Sequence, residues 1–191
     1  MNISALQKER AKYQPKLPKS IRGAVKLVEG AKTQSVADQQ EIAKLFPNTY
    51  VMPLVTFEVA ESKKDRAAIN VGVILSGGQA PGGHNVISGI FDGIKKINPE
   101  SRLYGFLGGP GGLVDHKYLE LTAEIIDEYR NTGGFDIIGS GRTKLEEEWQ
   151  FDKGLEIAKK LNLNALVIIG GDDSNTNACV LAEYYASINS G

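Results

Sequence analysis

The sequence predicts an α/β fold: an open, mostly parallel sheet with helices on both faces, preceded by an N-terminal extension. Three observations carry this. From Val71 onward, short apolar runs alternate with longer stretches of helical periodicity. Each apolar run is followed by a glycine-rich or polar stretch. The runs are continuous rather than alternating, as in parallel strands covered on both faces and joined by right-handed βαβ crossovers.

Residues 1 to about 65 are irregular and punctuated by Pro15, Pro18, Pro47 and Pro53. Helices are expected over Asn2–Tyr13 and Asp38–Leu45, and a strand over Val51–Val59. No catalytic grouping occurs there. Residues 1–66 therefore read as an extension that packs on the main domain or on a partner subunit, and residues 67–191 as that main domain.

Val71–Leu75 opens the domain as a strand and leads into Gly77-Gly-Gln-Ala-Pro-Gly-Gly83. Asn85–Ile97 then sets Val86, Ile87, Ile90, Phe91, Ile94 and Ile97 on one helical stripe, with Asp92, Lys95 and Lys96 away from it. Arg102–Leu107 reads as a strand running into Gly108–Gly112, and Tyr118–Arg130 as a helix. Phe135–Gly139 reads as a brief strand ending at Ser140-Gly-Arg-Thr143. Gln150–Leu161 is a helix with Leu155, Ala158 and Leu161 inward. Ala165–Ile169 is the clearest buried strand and leads into Gly170-Gly-Asp-Asp-Ser174. The last helix carries Ala178, Leu181, Ala182, Tyr185 and Ile188 on one face. In such sheets the ligand crevice lies beyond the carboxyl ends of the strands, so all four polar stretches fall on one rim.

Bulk properties exclude several classes. The 191 residues contain no apolar run near the roughly 18 needed for a membrane span, and the lysine-rich start lacks the apolar core of a secretory signal. Cys179 is the single cysteine, which excludes an internal disulfide framework and fits a reducing cytoplasm. Residues 1–70 hold 12 Lys/Arg against 7 Asp/Glu, and the remainder 10 against 16. An acidic domain does not attract nucleic acid through its global field. Glycine is the outlier: 22 residues, roughly 12% against an average of about 7%.

Three stretches carry the chemistry. Gly77–Asn85 is a strand-to-helix turn whose glycines, Gly78 and Gly82 among them, can bring several N–H groups to one anion, aided by the helix start. It also reads as a tight turn without a ligand. No Gly-Lys-Ser/Thr closes it, and Asn98 rather than an acid stands twenty residues past Gly78, so neither a Walker loop nor a dinucleotide fingerprint is present. At Asp172-Asp173-Ser174, adjacent carboxylates repel unless a cation or hydrogen bonds compensate them. Magnesium held by one carboxylate, water and substrate phosphates would do so; helix capping by Asp173 or Ser174 is compatible with that. Arg142 in Ser140-Gly-Arg-Thr143 is either a surface residue or a bidentate phosphate clamp. Gly108–Gly112 is a weaker candidate lining for the same crevice. His84, His116, Cys179 and Trp149 have simpler structural readings.

Together these groups resemble the phosphofructokinase superfamily in its long, pyrophosphate-using branch. Ser76-Gly-Gly-Gln-Ala-Pro-Gly-Gly-His-Asn85 is similar to that family's phosphate loop. Gly105-Phe-Leu-Gly-Gly-Pro-Gly-Gly-Leu113, Gly139-Ser-Gly-Arg142 and Ile169-Gly-Gly-Asp-Asp-Ser174 follow in its order. Glu41-Ile-Ala-Lys-Leu-Phe-Pro-Asn48 looks like the leader of the long members. The resemblance implies the family's N-terminal, Rossmann-like domain and Mg2+-dependent transfer of phosphoryl from pyrophosphate to the 1-hydroxyl of fructose 6-phosphate. It implies Gly78 and Gly82 at the donor phosphate, Arg142 as catalytic clamp on the transferring group, Asp172 at the metal, and Asp173 setting donor selectivity. ATP-using relatives generally have glycine at the last position, and a carboxylate there opposes the α-phosphate of ATP. A homo-oligomer is implied for the full-length protein, with no nucleic-acid or membrane partner.

The family's catalytic base and sugar-phosphate site are expected beyond Gly191, so the resemblance implies an incomplete domain, inactive alone. Two rivals stand beside this reading: a non-catalytic regulatory subunit of the same family, and another Gly-Gly-Asp kinase acting on NAD or lipid.

Overall fold

The computed structural model describes residues 4–18, 22–61 and 66–188. They form two compact units, the first built from the chain through Tyr13 with Arg66–Leu181, the second from Gln14–Asp65 with the chain from Ala182.

The first unit has the expected α/β fold. Its helix α1 (Ala5–Ala11) is capped by Ser4, whose Oγ accepts from Gln7 N at 3.1 Å. Strand β3 (Asn70–Leu75) is flanked by β4 (Arg102–Phe106) and β6 (Ala165–Ile169), both parallel to it. Strand β5 (Tyr118–Glu120) adds antiparallel to β4, giving the order β5-β4-β3-β6. On one face, Val71, Val73 and Leu75 pack with Ile87, Phe91 and Ile94 of α3 (Gly83–Ile97) and Ile126 of α5 (Ala123–Tyr129). Helices α4 (Pro110–Val114) and α6 (Glu148–Lys160) pack on each other, and Leu163, just past α6, reaches Gly72 on the opposite face.

Several expectations are corrected. Tyr118–Arg130 is not one helix. Its first three residues extend β4's edge, where Tyr118 sets its ring against those of Tyr104 and Phe106, and the helix starts only after Thr122. Phe135–Gly139 is a turn rather than a strand: Gly133, Gly134 and Gly139 all take positive φ, and Gly139 N donates to Phe135 O at 2.8 Å. The apolar residues of that run are still buried. Gly108–Gly112 runs directly into α4, with Pro110 in its first turn.

Strand β6 is only half-buried, because β3 is its one partner among the described residues. The inward stripes are shifted as well. On α3, Val86 and Ile97 are exposed. On α6 the buried residues are Phe151, Gly154 and Ile157, not Leu155, Ala158 and Leu161. On α7 (Asp172–Ser187) only Leu181 of the expected face is buried. Among the described residues no helix is long and apolar enough to cross a membrane.

The second unit holds α2 (Gln39–Leu45) and an antiparallel ribbon of β1 (Val25–Lys32) with β2 (Pro53–Val59). Strand β1 was not anticipated, since Lys26, Glu29, Gly30 and Lys32 mask its β-propensity. In the same unit Glu183 accepts from Asn48 N, Asn48 Nδ2, Thr49 N and Thr49 Oγ1. Burial pushes its carboxyl up, but these donors outweigh that and hold it below the usual range. The helix expected over Asn2–Tyr13 meets α1 at Ala5–Ala11, Asn2 lying outside the described residues; the expectations at Asp38–Leu45 and Val51–Val59 meet α2 and β2.

Candidate functional site

The carboxyl ends of β3 and β6 lie side by side, and the chain leaves both through glycine. Ser76 N donates to Ile169 O at 2.8 Å, which pins the two exits together. From Ser76 the loop reaches α3 through Gly77 and Gly82, at φ of 95° and 98°, values that side-chain-bearing residues rarely adopt. From Ile169 the chain passes Gly170 and Gly171 and starts α7 at Asp172. A cleft of about 620 Å³ opens between them, lined by Ser76–Gly78, Ala80–Gly83 and Gly170–Ser174, with Val86, Phe135 and Ile169.

Two helix N-termini therefore border one cleft. Each leaves up to four N–H groups without intrahelical partners and carries partial positive charge. Asp172 and Asp173 are exposed in the first turn of α7, where that charge favours carboxylates. The floor is fixed by a hydroxyl pair that the sequence reading missed: Ser174 Oγ donates to Ser76 Oγ at 2.8 Å, both residues only 8% exposed. A serine near each glycine-rich exit, Ser76 just before Gly77 and Ser174 three residues past Gly171, was its one available signal.

Arg142 arrives from the side. Its loop is stitched to the phosphate-loop candidate by an isolated parallel bridge, Ser76 to Gly141, in which Gly77 N donates to Gly141 O at 2.8 Å. The Arg142 guanidinium lies against Gly78 so closely that a Cβ there would sit 2.8 Å from Nη2. The structure thus brings together Gly78, Gly82, Asp172 and Asp173 as cleft lining and sets Arg142 beside them, exposed and outside the lining itself.

Gly108–Gly112 does not line the cleft, contrary to expectation. Gly108 N donates to Ile138 O at 2.8 Å, and a Cβ on Gly141 would collide with Gly108 O. This stretch is the bed on which the Arg142 loop lies. His116 bonds Lys153 O through Nε2 at 3.0 Å, and Trp149 is exposed in the first turn of α6.

The donor set suits a hard cation that keeps much of its water. Asp172 and Asp173 offer oxygen ligands at the cleft, while no cluster of three or more His, Cys, Asp or Glu is gathered among the described residues. Magnesium is held in this way, by one or two carboxylates together with substrate phosphates.

Residues 70–190 match the phosphofructokinase family. The chain is 64% identical over 191 residues to a pyrophosphate–fructose 6-phosphate 1-phosphotransferase of Porphyromonas gingivalis, covering all of this chain and 35% of that protein. To the enzyme of the same name from Entamoeba histolytica it is 50% identical, over 98% of this chain and 35% of that one. It is 51% identical to subunit beta 1 of the Arabidopsis thaliana enzyme, over 97% of this chain and 33% of the subunit. The chain thus spans about a third of the length of these relatives. Among solved structures it resembles Pichia pastoris phosphofructokinase in the T-state, with TM-score 0.51 and 27% identity over 65% of this chain and 13% of that one. A pyrophosphate-dependent phosphofructokinase of Nitrosospira multiformis superposes with TM-score 0.55 and 20% identity, over 64% and 31% of the two chains, a likeness of fold.

Proposed function

This chain belongs to the phosphofructokinase family, and from that premise we propose that the whole protein transfers phosphoryl from pyrophosphate to the 1-hydroxyl of fructose 6-phosphate. The reading rests on one observation above all: Asp173 stands beside Asp172 on the cleft wall, at the start of α7. A carboxylate there adds bulk and like charge against a third phosphate, and pyrophosphate has none. The NAD-kinase and lipid-kinase readings give way to the family match.

In this reading the N–H groups of the Gly77–Gly83 loop, at Gly78 and Gly82 in particular, hold the donor's distal oxygens, helped by the N-terminus of α3. Arg142, fixed beside Gly78, grips the transferring phosphoryl group with its planar fork and neutralises charge as the bond to the leaving phosphate loosens. Asp172 would hold Mg2+, which when bound supplies further neutralisation of phosphate oxygens. Ser76 and Ser174 keep the two walls at fixed separation, so placement and preorganised charge supply most of the rate. The lone thiol of Cys179 fits a cytoplasmic setting, and the subunits named among the relatives support an oligomer.

Phosphoryl transfer to fructose 6-phosphate by the whole protein, with Mg2+ and either pyrophosphate or ATP, tests this. Turnover with pyrophosphate and little with ATP is expected; a preference for ATP sinks the role given to Asp173.

A further inference from the structure

His84 is only 2% exposed, and it is the second residue of α3, directly after the glycines of the phosphate loop. Both of its ring nitrogens are engaged. Nε2 lies 3.1 Å from Ile137 N, and an amide N–H can only donate, so Nε2 must carry a lone pair. The ring proton therefore sits on Nδ1, which donates to Thr132 Oγ1 at 2.8 Å. Thr132 in turn donates its hydroxyl proton to Tyr129 O at 2.6 Å. The His84 backbone N–H adds a bond to Gly134 O at 2.9 Å. One imidazole thus grips the 132–137 segment at both ends.

That segment leads straight to Arg142. The phosphate loop is bonded to the 132–142 stretch at both of its own ends, through Gly77 N to Gly141 O at the loop's start and through His84 at its end. Loop and segment form a closed circuit. Ile137 lies only five residues before Arg142, so the backbone held by His84 runs directly to the guanidinium beside Gly78.

We infer that His84 is a positioning residue that fixes Arg142 against the phosphate loop, and that it does so as the neutral imidazole protonated at Nδ1. The inference rests on the donor site described under Proposed function, and it assigns His84 no contact with substrate. The titratable neighbours are Tyr129 of α5, whose ring meets the imidazole edge-on at 4.8 Å, and Asp136 in the turn. Burial pushes the imidazole below its ordinary 6.5, and Asp136 and a backbone bond at Gly133 oppose this without reversing it. A proton added at Nε2 would face the Ile137 N–H, turning a hydrogen bond into a clash of two donors.

Three variants of the whole protein test this: His84→Phe, His84→Gln and Thr132→Val. Phenylalanine keeps the ring and removes both bonds, whereas the glutamine carbonyl can accept from Ile137 N. Loss of a buried bond should raise KM for pyrophosphate in His84→Phe by about tenfold, with kcat lowered and KM for fructose 6-phosphate unchanged. His84→Gln should recover most of this and lose the fall in activity that wild type is expected to show as the medium is acidified below the ordinary 6.5 of imidazole. Thr132→Val, which spares the histidine, should shift KM for pyrophosphate in the same direction and serves if His84→Phe does not fold. Wild-type KM for pyrophosphate in Thr132→Val, or in a folded His84→Phe, overturns the inference. So does an equal rise in both KM values. Pyrophosphate binding by titration calorimetry is read in parallel. If wild type binds pyrophosphate but transfers nothing to the sugar, the proposed reaction fails while the positioning role is still decided by the binding shift.

Discussion

At the scale of single residues, chemistry was legible by type and place, and partnership was not. Gly78, Gly82, Arg142, Asp172 and Asp173 were singled out because glycines, an arginine and paired carboxylates after apolar runs suit phosphate and metal binding at a parallel sheet's rim, and the fold sets all five at or beside one cleft. The Ser76–Ser174 pair and the two ring hydrogen bonds of His84 escaped, because they join residues 98, 53 and 48 positions apart. Asp173→Gly is expected to raise kcat/KM with ATP by about tenfold or more, a change of about 1.4 kcal/mol, and to leave pyrophosphate use weaker. Unaltered donor preference in steady-state assays would remove Asp173 from the selectivity account. His84 also has a consequence for stability. Its folded value lies below 6.5, chiefly through burial, so beneath that pH the unfolded chain takes up a proton the folded chain refuses. Stability is then complete above about pH 6.5 and falls as the medium is acidified towards the folded value. Urea midpoints between about pH 7 and pH 5 should decline, less so in His84→Gln; parallel declines in the two proteins would refute the assignment.

Among elements, the strongly periodic ones were read correctly in kind, and the errors gathered where tertiary pairing overrode local pattern. Tyr118–Glu120 has nothing against a helix until β4 offers it an edge. Phe135–Gly139 has the composition of a strand, but three glycines at positive φ fold it into a turn whose apolar side chains reach the same core. Strand β1 looked too charged because its ribbon leaves Leu27 62% and Phe57 51% exposed, so burial never sorted its residues by face. Helix α6 shows how a start signal works here. Gln150 Oε1 accepts from both Glu146 N and Glu147 N, at 2.8 and 3.0 Å, satisfying two N–H groups at the helix entrance. Gln150→Ala should therefore cost about 1 kcal/mol. Chemical denaturation of the variant reads this directly, and an unshifted midpoint would mean that water replaces the amide without loss.

For the molecule as a whole, the order of motifs along the chain foretold that the stretches after β3 and β6 share one rim, because parallel strands end at the same edge. The sequence could not foretell that β6, its most apolar run, would be only half-covered, since burial belongs to neighbours and not to composition. Strand β6 also carries a consequence in time. Strand β4 joins β3 across about 32 residues of chain, as the Ile69–Ser101 contact marks, whereas β6 joins across about 94, marked by Asn70 and Asn164. Closing the longer loop costs about 1 kcal/mol more entropy, so β3, α3 and β4 should assemble first and β6 last. Pulse-labelled hydrogen exchange should then protect the Tyr104 amide, which faces β3 from β4, before that of Ile168, which faces β3 from β6, and simultaneous protection would contradict it. Both walls of the cleft meet only at that final docking. Pyrophosphate then finds nothing to hold during the climb to the folded state: it should slow unfolding and leave the refolding rate untouched.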